Sequence, residues 1–176
     1  MFEKLKNLIK HEKVLLVTII IVYIIDKLTK HFISMTYKIG ESKTIIGKFI
    51  KITYIENQGI AFGLLSDWQH NYKSLILFLI SLFAIIIIFK IYRDSQHRFI
   101  EKLSFGLILG GAAGNIFDRV VYHRVVDFLS FSIGKFHWPF YFNIADLSIN
   151  IGVIILLFIS MTTKKEKPDE ADSVRD

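Results

Sequence analysis

The 176-residue chain is long enough for one domain, and the absence of cysteine excludes thiol catalysis, disulfides, iron–sulfur clusters and thiolate zinc sites. With 52% apolar residues, 16 phenylalanines and a mean hydropathy of +0.45, it is too hydrophobic for an ordinary soluble protein. A net charge of +6 would suggest nucleic acid in a soluble chain. Here the basic residues sit beside apolar runs, so membrane lipids are the expected partner and nucleic acid is not.

The first thirteen residues are basic, with Lys4, Lys6, Lys10 and Lys13, and lead into the apolar run Val14–Ile25. That run is shorter than the roughly 20 residues that span a bilayer. Helix on both sides is expected to complete the crossing, with Lys10 and Lys13 snorkelling at one end and Lys27 and Lys30 at the other. This puts Asp26 near the far end of the first helix. No small-x-small cleavage pattern follows, so the run is expected to be retained as a membrane helix.

Composition turns polar from Thr36 to Tyr72. Phe49–Glu56 alternates and is rich in β-branched residues, which predicts a strand broken by Asn57-Gln58-Gly59. Ile60, Phe62, Leu64, Leu65 and Trp68 then offer a compact apolar surface suited to a short amphipathic interfacial helix. Leu75–Phe89 reads as a second span and Leu103–Phe117 as a third. In the third, Gly106, Gly110 and Gly114 recur at four-residue intervals and leave a smooth stripe for a neighbouring helix. An extramembrane segment, Arg119–Phe142, holds a second alternating strand candidate in Val125–Ile133. Asn143 and Asp146 open a fourth span that continues through Ile149–Met161, and a charged tail from residue 164, expected to be disordered, ends the chain. The fold expected is an α-helical membrane protein: four transmembrane helices, a small extracytoplasmic β structure, and one membrane-embedded domain over residues 1–163.

Lys and Arg are denser in residues 1–13, 90–102 and 164–176 than in 27–73 and 115–144. The positive-inside rule therefore places both termini in the cytoplasm and Asp26, Asp118, Asp127 and Asp146 at the opposite surface. Carboxylates beside membrane-grade segments are costly, and each is a functional-site hypothesis. Asp127 and Asp146 stand 19 residues apart, one on an expected strand and one at an expected helix start. Two carboxylates in one confined site do not both ionise easily, so one keeps a proton, which supplies a base and an acid for hydrolysis. Spacing alone equally allows Asp146 to be a carboxylate favoured by a helix dipole and Asp127 an ordinary loop residue.

Asn115, Asp118 and Arg119 lie at i, i+3 and i+4 and share one helical face. Arg119 is suited to peptide carbonyls or a lipid phosphate through its planar fork, or simply ends a helix with Asp118 at the interface. Lys30 and Ser34, four apart, form a weaker Ser–Lys candidate. The six histidines show no metalloprotease spacing, and no metal or cofactor is expected. A small ion or lipid carrier using Asp118 and Asp146 is the competing class, although no internal repeat supports it.

The stretches Asp26–Lys30 (DKLTK), Glu56–Leu65 (ENQGIAFGLL), Gly114–Arg119 (GNIFDR), Val125–Leu129 (VVDFL) and Phe142–Asp146 (FNIAD) occur in one order. With them the chain resembles the lipoprotein signal peptidases, the bacterial type II signal peptidases, from about Ile24 to Asn150. The resemblance implies an aspartic endopeptidase of the bacterial inner membrane. Such an enzyme removes signal peptides from diacylglyceryl-modified prolipoproteins just before the lipidated cysteine. It implies catalytic roles for Asp127 and Asp146, substrate-binding roles for Asn57, Asn115, Arg119 and Asn143, and supporting roles for Asp26, Asp118 and Gly59. It further implies an extracytoplasmic β-cradle with a short amphipathic helix, and no covalent intermediate or metal. A monomer is expected. One departure is Ile60, where the family more usually has a small residue, and a local packing difference is expected there.

Overall fold

The computed structural model describes residues 12–47, 49–58, 73–95, 98–133, 136–137 and 139–162. The expected interfacial helix at 60–68, Gly59 and Ile60, the basic residues before Glu12, and the charged tail lie outside the described residues. Helix α1 spans Lys13–Thr36, strands β1 and β2 span Ser42–Ile46 and Ile50–Asn57, and helix α2 spans Lys73–Arg93. Helix α3 (Phe99–Tyr122), strands β3 (Val125–Ile133) and β4 (Phe136–His137), and helix α4 (Ile144–Thr162) complete the order.

The strands form one antiparallel sheet in the order β1-β2-β3-β4. Both alternating stretches are strands, and they pair with each other; Ile55 stands opposite Asp127 and Asn57 opposite Val125. A register shift between Ile52 and Ile55 marks a bulge beside Asp127, a device that re-aims a side chain at the cost of local pairing. Strands β1 and β4 lack a clear alternating pattern and were not anticipated.

Helices α1 and α3 both end at the sheet, and α4 begins there. His123 adopts a left-handed conformation, φ 57°, just past the last residue of α3. That single turn reverses the chain so that β3 starts two residues later. Ile33 of α1 packs with Tyr54 and Phe128 of the sheet, fastening the sheet to the end of the bundle. At the opposite end Leu15, Tyr92 and Phe105 form a second cluster, with the two rings edge to face at 5.1 Å.

The glycine stripe faces α1. A Cβ at Gly110 would come within 2.9 Å of the Ile19 carbonyl oxygen and of Val22 Cβ, and one at Gly106 within 2.6 Å of Thr18 Cβ. On the other side of α3, Gly111 abuts the Ala145 carbonyl of α4, and Gly152 of α4 lies against the Ser104 carbonyl, 2.6 Å from an added Cβ. Backbones approach this closely only without side chains between them. Gly110→Leu should therefore lower the melting temperature in detergent, at a cost of about 1–3 kcal/mol for overpacking. Unchanged melting would mean the helices can part without loss.

Large apolar side chains cover the outside of all four helices, among them Ile20, Phe32, Phe83, Ile86, Val120, Ile154 and Phe158, all exposed. Exposed apolar surface on this scale marks a membrane or protein contact. Among the described residues, α4 is the helix that is long and apolar enough to cross a membrane by length and composition, with a mean hydropathy of 2.2 over its window. Helices α1 and α3 carry charges within their length.

Those charges correct the expected ends of the spans. Asp26, Lys27 and Lys30 lie in the body of α1, not at its end, because the helix runs on to Thr36. Lys30 is 4% exposed and does not snorkel. Arg119 likewise lies within α3, one turn before its end, and not at the start of a loop.

Candidate active site

Strand β3 and the start of α4 bring Asp127 and Asp146 to one site, and Asn143 joins them. Asn143 is fully buried and sits just before α4. Its side-chain Nδ2 donates to Asp127 Oδ1 at 2.7 Å, while its backbone N–H donates to Asp146 Oδ2 at 3.3 Å. In return the Asp146 backbone N–H donates to Asn143 Oδ1 at 3.0 Å. This is a helix-capping exchange in which the N3 acid also serves the site. The sequence FNIAD thus encodes a cap and a carboxylate position together.

Asn57, the last residue of β2, donates from Nδ2 to Asp127 Oδ2 at 2.8 Å. Asn115 donates from Nδ2 to Asp146 Oδ1 at 2.8 Å and accepts at Oδ1 from Asn143 Nδ2 at 3.2 Å. Each carboxylate therefore holds amide donors on both oxygens. Asp127 is 3% exposed. Burial, and then the neighbouring charge of Asp146, push its carboxyl up to about 7, against the pull of the Asn57 and Asn143 amides.

Behind the amides lies a charge-balanced cluster of two lysines and two aspartates. Lys30 Nζ contacts Asp26 Oδ2 at 2.8 Å, Asp118 Oδ2 at 2.7 Å and Asn115 Oδ1 at 2.9 Å. Lys27 pairs with Asp118 Oδ1, donates to the Gly114 carbonyl at 2.9 Å, and packs over the Phe117 ring at 4.7 Å. Asp26 Oδ1 accepts the Ala145 N–H at 3.0 Å, satisfying one of the orphan donors of the first turn of α4. Gly114 allows this, because a Cβ there would meet Asp26 Oδ2 at 2.5 Å.

The expected site residues within the described chain thus converge: Asp26, Asn57, Asn115, Asp118, Asp127, Asn143 and Asp146. Arg119 shares the field of Asp146, Asp127 and Asp118, and its buried Nε–H has no hydrogen-bond partner among the described residues. Asp118 is paired with lysines of α1 and not with Arg119. The Ser–Lys candidate is overturned: Lys30 is engaged as above, and Ser34 Oγ donates to the His31 carbonyl at 2.9 Å.

Lys27 and Lys30 are the residues missed as members of the site. The signal was available, since Asp26 and Lys30 are opposite charges at i, i+4 inside an otherwise apolar helix. An open cavity of about 380 Å³, lined by Lys27, Lys30, Tyr54, Glu56, Asp118 and Arg124, abuts the cluster. Among the described residues no group of three His, Asp or Glu side chains is placed to hold a metal ion.

The model of the Signal peptidase (SPase) II family matches residues 18–162. A lipoprotein signal peptidase of Francisella tularensis subsp. novicida is 39% identical over 161 residues, covering 91% of this chain and 99% of the relative. One from Wigglesworthia glossinidia brevipalpis is 41% identical over 140 residues, covering 80% and 89%. Two solved structures, each described as a bacterial membrane enzyme, superpose with TM-scores of 0.74 and 0.72 at 31% and 34% identity. They cover 85% and 89% of this chain and 94% of each solved chain. The family match takes in every described residue of the carboxylate site, and the chain belongs to the signal peptidase II family.

Proposed function

We propose that the chain is a membrane aspartic endopeptidase that cleaves diacylglyceryl-modified prolipoproteins immediately before the lipidated cysteine. The observation that carries this reading is the pair Asp127 and Asp146, the first buried and the second half-buried, both held by Asn143, with one carboxyl displaced to near neutrality. Such a pair shares one proton at working pH. The ionised carboxylate draws a proton from water as that water attacks the scissile carbonyl, and the protonated partner gives its proton to the departing amine. The peptide bond breaks to an acid and an amine, and the pair ends with its single proton. No covalent intermediate is required.

Asn57, Asn115 and Asn143 hold the carboxylates, and Arg119 offers unspent donors to the substrate backbone. Asp118, paired with two lysines, is unsuited to an ion-carrier role. All four helices cross the bilayer in this reading, with residues 1–163 acting as one monomeric unit. The lipid chains of the substrate stay in the membrane while the peptide reaches the sheet end of the bundle. Both termini are cytoplasmic and the site is extracytoplasmic, as the Lys and Arg distribution supports.

Purified protein in detergent should shift a diacylglyceryl-modified precursor to its mature size without any ion gradient and leave the unlipidated precursor intact. No shift, or equal cutting of both, would refute the assignment. Reporter fusions at Ser95 and at the C-terminus should read as cytoplasmic and one at Lys43 as external; the reverse would put the site on the other face.

A further inference from the structure

We infer that Lys30 is a positioning residue for the aspartate pair: its ammonium locks the Asn115 amide in the orientation that presents its NH₂ to Asp146. The inference rests on the reading of Asp127 and Asp146 as the catalytic pair. An ammonium has three protons and accepts nothing. Lys30 donates to Asp118 Oδ2 at 2.7 Å and to Asn115 Oδ1 at 2.9 Å, and it forms an ion pair with Asp26 at 2.8 Å. Only Oδ1 of Asn115 can face it, and the amide nitrogen must then point the other way, to Asp146 Oδ1 at 2.8 Å. Turning the amide over would set NH₂ against the ammonium and a carbonyl oxygen against the carboxylate. Asn143 Nδ2 donates to the same Oδ1 at 3.2 Å, so the lysine also steadies the residue that holds Asp127. The two aspartates behind Lys30 fix the place of its ammonium beside the Asn115 amide.

Lys30→Met alone leaves Asp26 and Asp118 buried with one cation fewer, and it threatens folding. The test is therefore the double variant Lys30→Met/Asp118→Asn, in which the lost charges cancel, alongside Lys30→Arg. Each is purified as the full chain and assayed on lipidated precursor. In the double variant kcat should fall about 100-fold, as expected for a displaced catalytic group. KM should hardly change, and the alkaline limb of kcat should move to higher pH, because an Asn115 amide free to turn no longer donates steadily to the ionised form of the pair. Lys30→Arg should return the limb to its parental position. A folded double variant with parental kcat would overturn the proposal. So would a slow one whose pH limb has not moved, or a limb displaced equally in Lys30→Arg. Retained cleavage by Asp127→Asn would instead overturn the pair itself, so the two failures are told apart.

Discussion

Asp127→Asn and Asp146→Asn should each lower turnover of lipidated precursor by about 10²–10⁴-fold, the loss typical of removing a positioned acid–base group. Asn keeps the shape of Asp but neither ionises nor passes a proton. In the proposed mechanism the two carboxyls share one proton, so the double variant should be scarcely slower than either single one. In the parent, kcat should follow a bell in pH whose limbs belong to the pair. The alkaline limb should fall near pH 7, where the last shared proton leaves.

Stability supplies an independent check. Asp127 keeps its proton up to about pH 7 in the folded chain, whereas its ordinary value is 3.8. The folded state therefore binds more protons between those limits, and stability falls as pH rises through them. Asp127→Asn lacks that titration, so its melting temperature should gain on the parent between pH 4 and pH 8. At position 146 the outcome is less benign. Asn115 presents an NH₂ to one oxygen and Asn143 a backbone N–H to the other, so an asparagine amide there sets its own NH₂ against a donor whichever way it lies. Asp94, exposed after α2, is the control, and Asp94→Asn should leave turnover unchanged. Near-normal cleavage by either dyad variant would end the aspartic mechanism and shift attention to Asp118 and Asp26.

How much of this site could be read in advance depended on how local the signal was. The strands announced themselves, because Phe49–Glu56 and Val125–Ile133 alternate with period two and pack one face on a helix. The glycine stripe was equally legible, since a four-residue interval can only fall on one face of a helix. The partnership between Asp127 and Asp146 was not a matter of spacing. It is made by Asn143, which caps α4 with one end of its amide and binds Asp127 with the other, and a cap looks the same in sequence whether or not it serves a second residue. Lys30 was misplaced for a different reason. A lysine beyond an apolar run reads as an interfacial anchor, and nothing local reveals that α3 brings Asp118 within 2.7 Å of it. Strand β1 follows β2 by pairing and not by pattern, so its register depends on tertiary context.

Arg119→Gln should raise KM for lipidated precursor about 100-fold with kcat near the parental value. The motive is a buried donor left unused: Arg119 Nε has no hydrogen-bond partner among the described residues. Buried polar groups are nearly always satisfied, so one that is not invites a partner absent from the structure. The guanidinium lies in the field of Asp146, Asp127 and Asp118, beside the pair. A peptide laid across the site would supply carbonyl oxygens to this fork, and a contact made equally in the bound substrate and the transition state appears in KM alone. A hydrogen bond from a charged group contributes about 1.5–3 kcal/mol, enough for a change of that size. Lys at this position keeps the charge but not the planar fork, so Arg119→Lys should recover only part of the loss. Full recovery would show that charge alone suffices. A fall in kcat at constant KM in Arg119→Gln would instead place the guanidinium on the oxyanion that forms as water attacks, where its contact strengthens only in the transition state.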